Sequence, residues 1–81
     1  MSGAERNPVR RIFRLQVEKM AEAEKEPQLL VVAVKLPSGA FEVITNTQDL
    51  KNKIDYYLNA YDDDFRLKVN QNIQIVEFML V

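Results

Sequence analysis

With 81 residues, 47% of them hydrophobic and 28% charged, the chain has room for one small folded domain, and its net charge of −1 gives no field to draw it onto nucleic acid or an anionic membrane. The absences exclude more. Lacking cysteine and histidine, it has no disulfide, thiolate nucleophile, imidazole base or cysteine- or histidine-ligated metal, and two glycines are too few for a phosphate-cradling loop.

Met1 to Arg6 is small and polar, and poor order is expected there. Asn7-Pro8 reads as a helix start: asparagine caps free backbone N–H groups, and proline suits the first helical position. Val9, Ile12, Phe13, Val17, Met20 and Ala21 then recur at helical spacing, predicting a helix over 8–26 that Pro27 ends. Alternation of Phe13, Leu15 and Val17 with Arg14, Gln16 and Glu18 offers a strand instead, but the longer pattern through Met20 is helical.

The run from Leu29 to Leu36 is β-rich and apolar on both faces, as in a central strand. Pro37-Ser38-Gly39 is turn chemistry, and Phe41 to Thr45 returns as its hairpin partner. A second helix is expected from Thr47 to Tyr61, with Leu50, Ile54, Tyr57, Leu58 and Tyr61 on one face and Asp49 at its positive end. After Asp62-Asp63-Asp64, the alternation of Phe65, Leu67 and Val69 predicts an edge strand, Asn70-Gln71-Asn72 a turn, and Ile73 to Val81 a last strand. On that strand Ile73, Ile75 and Met79 share one side and Val76, Phe78 and Leu80 the other. The expectation is a single α+β domain: a helix, then ββαββ over 28–81, with one mixed four-stranded sheet in the order 2-1-4-3. Strands one and four are central and parallel. The second helix covers one sheet face, and the first helix or a second copy of the chain covers the other.

The run LPSGAFEVITN, followed by KIDYYLNAYDDDFRLKVNQNIQIVEFMLV, resembles small uncharacterised proteins encoded by phages and prophages of Gram-positive bacteria. The likeness spans about residues 36–81 and implies a phage accessory or host-takeover role. It carries no catalytic motif and transfers no functional residue.

Four features are candidate sites. Arg10, Arg11 and Arg14 fall on one outward face of the first helix, where their charge opposes the helix dipole; the acidic end with Glu22, Glu24 and Glu26 opposes it too. This is a phosphate- or acid-binding patch, or a solvated face with Arg14 and Glu18 paired one turn apart. Three consecutive aspartates, Asp62 to Asp64, point apart and read as a helix-to-strand turn in preference to a cation site. Tyr56 lies off the buried stripe and is a candidate exposed contact. Glu77 interrupts an apolar strand and is expected to meet Lys35 across adjacent strands instead of serving as a buried acid.

No constellation specifies a reaction, a cofactor or a metal. The reading is therefore a small non-enzymatic interaction protein, homodimeric and acting on another macromolecule. The alternative is a nucleic-acid-binding accessory protein using the arginine face. With no segment near the roughly 20 apolar residues of a membrane helix, a cytoplasmic location is expected.

Overall fold

The computed structural model describes residues 6–81. All of the stretch expected to be poorly ordered except Arg6 lies outside the described residues. In chain order the elements are α1 (Pro8–Glu22), β1 (Leu30–Lys35), β2 (Phe41–Asn46), α2 (Leu50–Ala60), β3 (Arg66–Leu67) and β4 (Asn70–Leu80). The strands form one sheet in the order β2-β1-β4-β3, as the sequence predicts.

α1 begins where Asn7-Pro8 directs it. The Asn7 side chain accepts from the Arg10 backbone N–H at 3.0 Å. It stops four residues short of the expected end. Lys25 N–H donates to the Met20 carbonyl and Glu24 N–H to that of Ala21, with Glu24 left-handed at φ 54°. These paired closures satisfy the last carbonyls before Pro27 is reached. Between β1 and β2, Gly39 takes φ 91°, the conformation for which the turn needs glycine.

Two expectations about the sheet are corrected. The central strands β1 and β4 are antiparallel, so the sheet is antiparallel throughout and not mixed. An added chain reversal after α2 is responsible. Asp62 accepts from the Asp64 and Arg66 backbone N–H groups, Phe65 turns left-handed at φ 61°, and Tyr61 bridges Leu67. That reversal inverts the sense in which the second hairpin enters the sheet. A left-handed phenylalanine costs roughly 1–2 kcal/mol. Complete burial of its ring beside Phe13 (5.7 Å between centroids) and Tyr61 (6.2 Å) offsets the strain.

The hairpin itself is also shifted. The turn falls at Lys68-Val69 and leaves Val69 89% exposed, while Asn70-Gln71-Asn72 joins β4. A bulge between the pairs Ala33↔Glu77 and Val34↔Ile75 then breaks the alternation along β4. Ile75, Phe78 and Leu80 consequently share the core side, and Met79 is parted from Ile75.

The second correction concerns cover. Both helices lie on one face of the sheet, side by side and antiparallel. The start of α1 meets the end of α2 through Arg10, and Glu26 just beyond α1 meets Lys51 in the first turn of α2 at 3.4 Å. A single core joins Phe13 and Met20 of α1, Leu50, Ile54 and Tyr57 of α2, and Leu30, Val32, Val34, Ile75 and Leu80 of the sheet. The least extent, 17 Å, is that of two layers. Of the stripe predicted on α1, Phe13 and Met20 are buried and Val9 and Val17 half-buried, but Ile12 faces outward and Arg10 takes a buried position in its stead. The sheet's other face has no covering element among the described residues.

Candidate functional site

Antiparallel register places three strands' outward side chains in a grid on the uncovered face. Thr45, Val31 and Met79 make one row, Val43, Ala33 and Glu77 the next, and Phe41, Lys35 and Gln74 the third. Phe41 and Val43 are each 65% exposed and Met79 50%. Isolated exposed apolar residues are ordinary, but a contiguous set on a sheet face is a feature of contact surfaces. Ala33 is the small residue at the centre, and around it Val31, Val43, Glu77 and Met79 border a shallow depression of about 200 Å³.

Lys35 and Glu77 stand on this face and on adjacent strands, as the sequence reading requires, but they are not paired. Glu77 is opposite Ala33 and Lys35 opposite Gln74, and no ion pair joins them. The register of the two strands sets the charges one step apart diagonally. Glu77 is exposed.

The arginine face is dismantled by the fold. Arg10 is only 8% exposed. Its Nη1 donates to the Tyr61 carbonyl at 3.3 Å and its Nη2 to the Leu58 carbonyl at 3.2 Å. The guanidinium lies 5.7 Å over the Phe65 ring, and Asp63 approaches Nε at 3.8 Å. Arg10 therefore closes the C-terminus of α2, where carbonyls and the negative end of the dipole both favour a cation. Charge that opposes the dipole of α1 thus serves the antiparallel neighbour, and Glu26 beside the N-terminal end of α2 does the same at the other end. The inverted charge pattern was the signal of a neighbouring helix. Arg11 and Arg14 remain exposed, and Arg14 Nε lies 4.0 Å from Glu18.

The aspartate run is occupied by its own turn. Burial alone would raise the Asp62 carboxyl, but donation from the Arg66 N–H, the Gln71 side chain and the Asp64 N–H holds it below its usual range. The Asn7 amide donates to the Asp64 carbonyl at 3.1 Å, tying the turn to the start of α1. Among the described residues no group of His, Cys, Asp or Glu side chains is placed to hold a metal ion.

Tyr56 is about half exposed and is the outer member of a tyrosine cluster. Its ring meets those of Tyr57 and Tyr61 edge-on at 5.2 and 6.3 Å. Burial, and then the neighbouring Tyr56 and Tyr57, push the Tyr61 phenol up to about 12. A groove of about 240 Å³ runs between the helices over Val17, Met20, Ala21 and Ile54, with Lys25, Lys51 and Asp55 at its rim. No residue in it pairs a nucleophile with a base. No family model, curated protein or solved structure matches the chain. Among the described residues no helix is long and apolar enough to cross a membrane.

Proposed function

We propose that this is a small non-enzymatic interaction protein, cytoplasmic and homodimeric, that works by binding protein through its uncovered sheet face. A phage accessory or host-takeover role is the setting we assign it, on the resemblance of residues 36–81. One observation carries the reading: Val31, Val43, Phe41 and Met79 form a continuous apolar surface on the face opposite both helices. Leaving such side chains in water forgoes about 1.5–3 kcal/mol for each large one that could be fully buried. Contact surfaces combine this kind of apolar centre with a polar rim, here Thr45, Gln74, Lys35 and Glu77.

The test is photo-crosslinking with a benzophenone-bearing residue placed singly at Val43, Arg14 or Tyr56 in cells of the native host. Covalent adducts to protein, another copy included, should form from position 43 and be scarce from 14. Adducts from positions 14 or 56 with none from 43 would overturn the reading.

A further inference from the structure

We propose that the open face is closed by a second copy of the chain, packed face to face about a two-fold axis through Ala33, with strands crossing at a steep angle. The inference rests on reading this face as a binding surface, and it follows from where the register puts two charges.

A two-fold axis lying in the interface turns each copy's grid over onto its partner. Four simple axes pass through Ala33, and they can be compared directly on the register. An axis along the strands sets Glu77 against Val43. One across the strands sets Lys35 against Val31. The diagonal through Val43's row and Lys35's column that exchanges Val43 with Lys35 sets Glu77 against Val31. Each of these buries a charge against an aliphatic side chain, which is costly.

The remaining diagonal runs from Thr45 to Gln74. It places Lys35 of each copy on Glu77 of the other, twice by symmetry, as an isologous interface demands. The same operation opposes Phe41 to Met79 and Val43 to Val31, and sets Thr45 and Gln74 near their own counterparts. One arrangement therefore satisfies both charges and matches apolar with apolar. Among the described residues neither Lys35 nor Glu77 makes an ion pair, and both stand ready for one across the axis. The exchange substitutes a strand spacing of about 4.8 Å for a same-face spacing of about 6.8 Å, a mismatch that long side chains absorb. Near-perpendicular strands are an established way for sheets to pack, and the small central Ala33 lets the backbones approach.

The area suits a weak dimer. Three strands by three rows cover roughly 14 × 20 Å from the standard spacings, about 280 Å² in projection per copy. Two such faces give roughly 560 Å² before side-chain relief is added, below the size of standard stable interfaces, so association in the micromolar range or weaker is expected.

Sedimentation equilibrium of the full chain, with far-UV circular dichroism to verify folding, tests this. Wild type should be a dimer that dissociates on dilution. Lys35→Glu alone and Glu77→Lys alone should each weaken it about tenfold or more, since each doubles like charges across the axis. An equimolar mixture of the two variants should recover wild-type association, because the mixed pair restores both contacts, and the double variant should do so by itself. Single reversals that associate as well as wild type, or a mixture with no recovery, would overturn the geometry. A monomeric wild type would overturn the second copy as occupant while leaving the binding face to the crosslinking result. A dimer unchanged by Val43→Asp would overturn this face as the dimer interface, and the crosslinking result alone would then decide whether it binds another protein.

Discussion

Replacing Arg10 with leucine removes the guanidinium that closes α2 while retaining much of the packing of its aliphatic stem. The carbonyls of Leu58 and Tyr61 lose donors at 3.2 and 3.3 Å, and the contact over Phe65 is lost with them. Hydrogen bonds to a charged group contribute about 1.5–3 kcal/mol each, and a buried carbonyl left unpaired costs about 1–3 kcal/mol. The cation–π contact adds about 0.5–2 kcal/mol. These are not additive, because leucine also relieves the desolvation of a buried cation. The expected net loss is therefore about 2–4 kcal/mol, which in a domain of this size lowers Tm by about 10–25 °C. Arg10→Lys should fall between wild type and leucine: it keeps a cation near the end of α2, but one ammonium does not reproduce a fork over two carbonyls. Urea unfolding followed by circular dichroism measures the series. A leucine variant within about 0.5 kcal/mol of wild type, or lysine no better than leucine, would refute the capping role.

Two further outcomes follow from the same core. Phe13 is buried between Phe65 and Phe78, at 5.7 and 5.0 Å between ring centroids, and fastens α1 to the sheet. Phe13→Asp should unfold the chain, since truncating such a ring costs about 3–5 kcal/mol before any buried charge is counted and small domains hold little more; a cooperative melt near that of wild type would contradict the packing. Tyr61 should make the protein alkali-sensitive. Below pH 10 the phenol is protonated in both states and has no effect on stability. Above its ordinary value of 10.0 the unfolded chain ionises first, because the folded value is about 12, so stability falls as pH rises through that interval. Urea midpoints across the range, compared with Tyr61→Phe, check this, and an equal decline in the phenylalanine variant would exclude Tyr61 as the cause.

Local chemistry made much of this fold legible. Asn7-Pro8 and Gly39 act through their own backbones, so α1 starts and the first hairpin turns where the residues say. Hydrophobic periodicity found α2, with Leu50, Ile54, Tyr57 and Tyr61 buried as predicted, and the strand order emerged from which strands are apolar on both sides. Strand sense and facing did not emerge, because each turns on a single residue's conformation. Phe65 in a left-handed turn inverts β4 relative to β1, and one bulged residue between Ile75 and Glu77 reassigns every side chain beyond it. Phenylalanine and the Ile-Val-Glu run carry no local signal for either event. The site was hidden for a related reason. Arg10, Arg11 and Arg14 read alike as exposed cations, and only the arrival of the end of α2, some 50 residues later in the chain, makes Arg10 a buried cap. Likewise, sequence shows that β1 and β4 are apolar on both sides, but which side the helices take depends on tertiary packing. Stacking the two helices together on one face lets Arg10 satisfy α2 and Glu26 meet Lys51, and it leaves Val31, Val43, Phe41 and Met79 as the surface on which binding is proposed.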